Sequence, residues 1–453
     1  MSDKETNLIN GGVIDIDVNR ILKTENKDVD NIRYEIILHT EKDDIKLELV
    51  ESIEVMRDYN KHIGDYTIIV FQMAGGEFAK RVYPHRDHME VTVIKSWVDN
   101  THDTVTNKYK GIIINQEDGL DAGLESKADE TTLNETKLMK IEMQLMLREL
   151  EGLRSVYVDG IYKNSTIEEI IQAVIMDGAS NIEVEGNPLD INIDVFPVNN
   201  TFSYKNLTIP TGVNLTDMPS YIQNTSYGVY NGAVGTYFQW YKDKYCMFVY
   251  PLYHTTRYDK ESGGRLTIYH ANSHKYDYVE NTYAVDGDNI SMLAGNNLNK
   301  KDLGTNKLLN LGDGIVDSAS EEILNRNFEI TDTGVNFDSS KQLSGVKIID
   351  RKDGYTKNRF VGASSNMYTQ RSATLMLTLA NYIIPWKYSN TDLIYPGMPC
   401  CFIFEDSVRG LVKLKGTVQG INTRYTMSSK VHVSLLHVCV ESSNVWADDI
   451  KDK

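Results

Sequence analysis

The sequence predicts an α+β fold that is mainly β, with an antiparallel β domain towards each end of the chain and an α+β connector between them. Three observations predict it: strand-period alternation near both ends, one capped amphipathic helix between them, and an aromatic hairpin after that helix. Of 453 residues, 41% are hydrophobic and 25% are charged. This is the composition of a globular protein with room for several domains.

The first β domain is predicted over residues 31–158, after an N-terminal arm formed by residues 1–30. Apolar and polar side chains alternate in four segments, and the charged residues between the first two segments suit a hairpin tip. The predicted strands are residues 32–40, 45–49, 66–73 and 89–98.

The end of this domain contains an acidic insertion and an ambiguous segment. Residues 116–135 (QEDGLDAGLESKADETTLNE) are polar and rich in Gly and Asp, which is typical of a long loop. Residues 137–153 (KLMKIEMQLMLRELEGL) fit a helical stripe and a strand alternation equally well. The pattern alone leaves both structures open for them.

The α+β connector is predicted over residues 159–256, and its clearest element is a helix at residues 165–176 (STIEEIIQAVIM). Its apolar residues fall on one helical face, Ser165 and Glu168 have the spacing of a capping box, and Asp177-Gly178 provides a stop. A second helix is predicted over residues 220–230. Residues 237–253 then form an aromatic hairpin with its turn at residues 242–244.

The second β domain is predicted over residues 257–453. It includes a loop-rich inserted subdomain around residues 286–339 and an acidic C-terminal tail, residues 446–453. Residues 372–384 fit a helix or a strand equally well. Strands are predicted at residues 265–270, 401–404, 411–415 and 431–440.

Charge and hydropathy exclude some classes of function. The 64 Asp and Glu outnumber the 47 Lys and Arg, giving a net charge of -17, which repels nucleic-acid phosphates, so specific DNA or RNA binding is disfavoured. No apolar run has the roughly 18 residues of a membrane helix, and residues 1–10 lack the apolar core of a signal peptide. We expect a soluble protein made in a cytosol.

The four cysteines do not form a metal-binding motif. They are Cys246, Cys400, Cys401 and Cys439, without a CxxC pair. Cys400 and Cys401 lie in "YPGMPCCFIF", and neighbours on a strand point to opposite faces, so they can neither share a metal nor bond to each other readily. We interpret them as small apolar strand residues.

Other candidate sites are weak. His85, Asp87 and His88 in "HRDHME" supply too few ligands for a metal site, and the segment lacks the Asn and the glycine-rich loop of a protein kinase. The segment from Asp286 to Asn289 (DGDN) lacks the distal carboxylate of a calcium loop. The aromatic hairpin could be a carbohydrate platform, but core packing is the better interpretation. We assign no catalytic, metal or cofactor-binding residue and predict that the protein is not an enzyme.

The order of the elements resembles the central baseplate hub of contractile-tail phages, a family related to the hub part of type VI secretion spikes. The resemblance rests on three stretches and on the element order over most of residues 32–440. These stretches are "STIEEIIQAVIM", "SYIQNTSYGVYNGAVGTYFQWYKDKYCMFVYPL" and "LIYPGMPCCFIFEDSVRGLVKLKGTVQGINTRYTMSSKVHVSLLHV".

The resemblance implies two tail-tube-like antiparallel β domains, each a barrel or a sandwich, plus the α+β connector. It makes residues 140–147 a closing strand of the first domain and places Cys400 and Cys401 in a wall strand of the second. The acidic loop, the Asn-rich region from residue 286 to residue 339 and the acidic tail depart from the family pattern.

The function implied is structural, in the virion, after assembly in the host cytoplasm. Three copies would join a central spike to the tail tube or a tube initiator, beside other baseplate proteins and without a cofactor or a membrane. Genomic DNA would pass a negatively charged channel without specific binding. The alternatives are a glycan or cell-wall hydrolase of the tail and a receptor-binding tail protein.

Overall fold

The fold is given by a computed structural model. It describes residues 18–22, 32–86, 89–97, 104–116, 138–184, 186–225, 227–242, 244–259, 264–270, 283–294, 299–301, 328–331, 334–337, 379–387, 389–406, 410–427 and 432–441.

A 15-stranded sheet forms the frame of the described structure. Its first part, here called the first β unit, has the order β3-β4-β7-β6-β5-β1-β2, and all of these pairings are antiparallel. The strands are β1 (Ile32–His39), β2 (Asp44–Lys46), β3 (Leu49–Asp58), β4 (Tyr66–Ala74), β5 (Met89–Trp97), β6 (Val105–Gln116) and β7 (Leu138–Leu147).

The ambiguous segment is a strand, as the resemblance predicts. Met139, Ile141, Met143 and Leu145 of β7 are buried in the core of the first β unit, while the alternate residues are more exposed. Helix α1 (Arg148–Ser155) begins directly after β7. Burial of one face of the sheet therefore outweighs the helix propensity of the Leu and Met residues.

The connector contains two helices and several short sheets. Helix α2 (Ile167–Ser180) buries the apolar face predicted for it, and helix α3 (Met218–Asn224) is shorter than residues 220–230. The aromatic hairpin is confirmed, with its two strands joined to a third, parallel strand. The strands are β8 (Tyr157–Tyr162), β9 (Ser165–Thr166), β10 (Glu183–Val184), β11 (Asn187–Pro188), β12 (Asn192–Val195), β13 (Ser203–Tyr204), β14 (Leu207–Asn214), β15 (Val234–Tyr241) and β16 (Lys244–Pro251).

The second β unit continues the large sheet, in the order β20-β23-β26-β25-β24-β17-β19-β18. Its core is continuous with that of the connector. Strand β17 pairs in parallel with β19 and β24, so the expectation of a wholly antiparallel domain is wrong here. The strands are β17 (Leu266–His270), β18 (Tyr283–Asp286), β19 (Asn289–Ala294), β20 (Asn299–Lys301), β23 (Leu379–Lys387), β24 (Pro399–Asp406), β25 (Gly410–Thr426) and β26 (Val433–Glu441). The separate hairpin is β21 (Phe328–Thr331) with β22 (Gly334–Phe337).

The two β units repeat the same strand order. Strands β4, β7, β6 and β5 lie side by side in the first unit, and β23, β26, β25 and β24 lie side by side in the second. The register repeats as well, since Gly111 of β6 and Gly416 of β25 each face a strand on both edges and each precede a bulge. A Cβ atom at Gly416 would collide with the Cys439 carbonyl oxygen, a backbone atom, so β25 needs glycine there, whereas at Gly111 it would press on the side chains of Met143 and Val91.

The expectation was a barrel or a sandwich for each unit, and no pairing among the described residues closes either unit into a barrel. The sheet of the first unit instead curls around its core, which draws buried residues from β1, β3, β4, β5 and β7. Within the described part of the chain, no helix has the length and hydropathy to cross a membrane.

Several predicted boundaries need correction. The helix cap is Thr166 with Glu169, not Ser165 with Glu168, and α2 runs on to Ser180 rather than stopping at Asp177-Gly178. Part of the region predicted as loop-rich forms β18 to β22. Strand β6 and most of β3 were not predicted. Most of the acidic insertion and the C-terminal tail lie outside the described residues.

The position of the cap is testable. The Thr166 hydroxyl accepts a hydrogen bond from the Glu169 backbone N–H, and Glu169 accepts one from the Thr166 N–H at 2.8 Å. We expect Thr166→Ala to lower the free energy of unfolding by about 0.5–2 kcal/mol, measured by chemical denaturation. Ser165→Ala is the matched control, and a larger loss in that variant would contradict the assigned cap.

Candidate functional site at the joint between the two β units

The two β units are joined by direct strand pairing between β3 and β25. Strand β25 pairs with β26 on one edge, and along its other edge it pairs first with β24 and then with β3. The ladder between β3 and β25 runs from the pair Asp58–Gly420 to the pair Ser52–Thr426. A single long strand therefore belongs to both units, and the sheet continues from one to the other without a break.

Gly420 begins this ladder at a point of very close approach. A Cβ atom on Gly420 would collide with the Arg57 carbonyl oxygen, a backbone atom that cannot move aside cheaply. On the other edge, Gly420 follows the bulge between β25 and β26. Glycine therefore lets β3 reach β25 where that strand bends.

A buried ion pair lies under the ladder. Arg57 of β3 donates from Nε to both Asp65 carboxylate oxygens, at 3.1 and 3.2 Å, and from Nη1 to the Thr391 carbonyl at 3.0 Å. The side chains of Arg57 and Asp65 are 7% and 13% exposed. Tyr237 of the aromatic hairpin donates a further hydrogen bond to Asp65 at 3.0 Å. This one pair thus connects both β units and the connector.

A second ion pair crosses from the first unit to the second. Lys95 of β5 lies 2.9 Å from Asp392, which belongs to a 3-10 turn, Thr391–Leu393. Burial alone would lower the pKa of Lys95, but the Asp392 carboxylate and its hydrogen bond raise that pKa above its usual value. The ammonium group is therefore charged at neutral pH.

Tyrosines fill the space around these charges. Tyr34 of β1 lies against Tyr425 of β25 with ring centroids 4.9 Å apart, and Tyr59 packs edge-on against Tyr237 at 4.8 Å. Tyr59 also donates to Gln239, which in turn donates to the Ile394 carbonyl at 2.8 Å. Burial raises the pKa of Tyr34, Tyr59 and Tyr237 well above the usual tyrosine range.

The side chains at the joint enclose a cavity of about 80 Å³. Two cations, Arg57 and Lys95, and two anions, Asp65 and Asp392, line it together with several tyrosines. Since the charges balance in pairs, the cluster is suited to fixing three parts of the chain in one geometry rather than to attracting a charged ligand. We take this joint as the candidate functional site.

The residues that the sequence offered as candidate sites do not lie at this joint. Cys400 and Cys401 are both buried but lie on opposite faces of β24, as predicted, in two different hydrophobic clusters. Cys401 packs against a short helix, residues 18–22, from the start of the chain. Cys246 and Cys439 are also buried.

Two other sequence motifs, DGDN and HRDHME, were also considered as metal sites, and the second lies only partly within the described residues. Residues 286–289 form the tight turn of the hairpin between β18 and β19, with Gly287 at φ 59°. His85 lies in a 3-10 turn, whereas Asp87 and His88 lie outside the described residues. Among the residues that the structure describes, no group of three or more His, Cys, Asp or Glu side chains is placed to hold a metal ion.

The aromatic hairpin is mostly packing, which was the favoured interpretation. Tyr237, Phe238, Phe248 and Tyr250 are at most 1% exposed, and Tyr250 donates a hydrogen bond to the Tyr59 carbonyl at 2.5 Å. The backbone N–H of Phe238 donates to the Ile63 carbonyl at 2.6 Å. The hairpin therefore attaches the connector to the first β unit.

The joint residues Arg57, Asp65, Lys95 and Asp392 were not predicted from the sequence. One signal was available in β3, where Arg57 continues the inward positions of Ile53 and Val55 and thus puts a cation on the core side of a strand. Its partner Asp65 directly precedes β4, whose strand was predicted correctly.

Comparison with known proteins identifies structural neighbours only. No family model and no curated protein matches the sequence. The fold is similar to the 43 kDa tail protein of prophage MuSo2 from Shewanella oneidensis, with a TM-score of 0.42, 10% identity, and 89% of this chain and 96% of that chain covered. It is also similar to a tail protein from Neisseria meningitidis MC58, with a TM-score of 0.40, 10% identity, and coverage of 91% and 98%.

A third neighbour is an E. coli component of the type VI secretion system, described as structurally similar to phage T4 tail proteins. Its TM-score is 0.37 at 11% identity, with 90% of this chain and 77% of that chain covered. The neighbours are thus phage tail and type VI secretion proteins, the kinds of protein that the sequence resemblance names. At these scores no residue role is transferred from them to this chain.

Removal of Asp65 should destabilise the protein strongly. Asp65→Ala leaves the buried Arg57 guanidinium without its counter-ion, and breaking such a pair costs about 3–5 kcal/mol in the free energy of unfolding. Asp190→Ala is the matched control, because Asp190 pairs with Lys244 at 3.3 Å while 81% exposed, and such pairs contribute about 1 kcal/mol or less. Equal losses in chemical denaturation would contradict the role of the joint.

The buried tyrosines predict alkaline instability. Their pKa values are raised in the folded protein, so above pH ~10 the unfolded chain loses tyrosine protons that the folded chain keeps. The folded state then binds more protons, and the free energy of unfolding falls as pH rises. We expect part of the tyrosinate absorbance to appear only with loss of tertiary circular dichroism. A smooth titration of all tyrosines while the fold persists would contradict this.

Proposed function

We propose that this protein is the central baseplate hub of a contractile phage tail, a structural adaptor without turnover. In this proposal three copies join the central spike to the tail tube or its initiator and contact neighbouring baseplate proteins. The protein acts in the virion and is assembled in the host cytoplasm. The two β units correspond to the tube-like domains, and residues 159–256 correspond to the connector.

The observation that carries the proposal is the joint between β3 and β25. Two units of the same strand order stand edge to edge in one sheet, held by a ladder, by the buried pair Arg57–Asp65 and by the partly buried pair Lys95–Asp392. An adaptor to a tube needs this arrangement, because each chain then supplies two adjacent members of a ring. Three chains would supply six such units while keeping three-fold symmetry towards the spike.

Charge supports passage of DNA rather than binding. The net charge of -17 makes a ring of copies strongly acidic. Such a ring repels phosphates that lie within the screening length set by the salt concentration. The sheet face opposite the core carries both signs, since Glu54 faces Arg424 across the joint and Lys140 lies 3.2 Å from Glu51. Repulsion would therefore come from the chain as a whole more than from this face.

The hydrolase alternative has no comparable support among the described residues. The aromatic side chains that would form its carbohydrate platform are at most 1% exposed in Tyr237, Phe238, Phe248 and Tyr250. The charged groups brought together at the joint are engaged with each other.

The mass of the assembly tests the proposal. We expect light scattering to give three times the chain mass, either for the protein alone or with its co-expressed neighbouring tail proteins. The physical reason is that a ring closes only when each chain contacts one neighbouring copy through its first β unit and another through its second. A monomer that binds no tail component would contradict the hub. Release of sugar from isolated cell walls would instead support the hydrolase.

A further inference from the structure

A short helix from the N-terminal arm, residues 18–22, lies against the second β unit. Its Val18 and Ile21 side chains are fully buried, whereas Asn19 and Arg20 are exposed. Since Val18 and Ile21 are three positions apart, they lie on one face of the helix. An isolated helix of this length is not stable in water. The helix therefore depends on the surface that it covers.

The covered surface is the outer face of the second β unit, turned away from the core that this unit shares with the connector. Leu293 of β19, Tyr269 of β17 and Ile403 of β24 form one row across three paired strands, and Cys401 lies two residues before Ile403. All four side chains are at most 7% exposed with the arm in place. We call these four side chains the arm site.

The repeat within the chain shows that this apolar surface is particular to the second β unit. Counted from the equivalent glycines of β6 and β25 across their partner strands, Glu90 and Thr92 of β5 hold the positions of Cys401 and Ile403 in β24. Glu90 is exposed and forms an ion pair with Arg148 at 2.9 Å. The same strand order thus accepts polar side chains at these positions. The apolar side chains of the arm site match the helix that covers them.

The free-energy terms for docking of the arm oppose each other and are similar in size. Burial of two aliphatic side chains favours docking, and the conformational freedom lost by each ordered residue opposes it. A contact of this kind is reversible. Residues 23–31 join the helix to Ile32, where β1 begins, so a released helix stays at high local concentration near its site. Release and return therefore require no change in the sheet.

We propose that the arm site is a binding site for a short aliphatic helix, and that residues 18–22 of the same chain occupy it reversibly while the sheet stays folded. This inference goes beyond the proposed hub function and does not depend on it. The ligand class is a helix with aliphatic residues three positions apart and a polar opposite face. When the arm leaves, four clustered apolar side chains reach water and form a surface suited to protein contact.

The first experiment uses two adjacent thiols to report the release of the arm. Cys401 lies under the arm, whereas Cys400 lies on the opposite face of β24 in the core shared with the connector. The native full-length protein is treated with N-ethylmaleimide, and tandem mass spectrometry assigns the label to each thiol. We expect Cys401 to react at least about tenfold faster than Cys400, because only the arm has to leave. Equal rates that follow global unfolding would overturn the proposal.

The second experiment changes the arm itself. Val18→Asp/Ile21→Asp places charges on the buried face of the helix, and Asn19→Asp, the matched control, places the same charge on its exposed face. We expect Cys401 to react at least about tenfold faster in the double variant than in the wild type and at an unchanged rate in the control. The rate at Cys400 should be the same in all three proteins. An unchanged Cys401 rate in the double variant, or an equal rise at both thiols, would contradict a separately released arm.

The dependence of these rates on protein concentration identifies whose arm fills the site. Occupation by the chain's own arm is intramolecular, so we expect the Cys401 rate to be independent of protein concentration. A Cys401 rate that falls as the concentration rises would assign the site to the arm of a second copy and overturn the assignment made here. A failure of the chain to form trimers would contradict the hub and leave this inference unaffected.

Discussion

The pairing of β3 with β25 is the constraint on which the rest of the architecture depends. It turns two separate β units into one sheet and fixes the angle between them. The ion pairs Arg57–Asp65 and Lys95–Asp392 lie beneath the ladder and attach it to the connector and to the turn before β24. Side-chain contacts as well as backbone pairing thus hold the two units together.

Burying the Arg57–Asp65 pair, and partly burying the Lys95–Asp392 pair, is costly in free energy, so geometry is a better reason for these charges than stability. Apolar residues of similar volume would pack at least as favourably in many such places. Ion pairs with directional hydrogen bonds accept only one arrangement of the three segments they connect. The adaptor role proposed above would require that uniqueness, because an adaptor has to transmit the symmetry of one assembly to another.

Local sequence patterns were sufficient to predict the elements whose structure depends on residues close to them in the sequence. The apolar face of α2, the aromatic hairpin and the opposite faces of Cys400 and Cys401 follow from periods of 3.6 and 2.0 residues. The sequence pattern of β7 fitted a helix and a strand equally well, so only the expected order of strands in the sheet identified it as a strand. The joint could not be predicted, because Glu54 and Asn422 meet across 368 positions and no local pattern records such a pairing. The shift of the helix cap by one residue reflects two adjacent hydroxyl residues that only the backbone geometry distinguishes.

The central claim is that each chain contributes two adjacent, rigidly joined members of a ring. Electron cryo-microscopy of the assembled oligomer, viewed along its symmetry axis, tests this claim most directly. We predict a three-fold particle with six similar β units around a channel at one end, alternating between joints within and between chains. Particles in which the two β units of a chain are far apart, or in which no closed ring forms, would contradict the account.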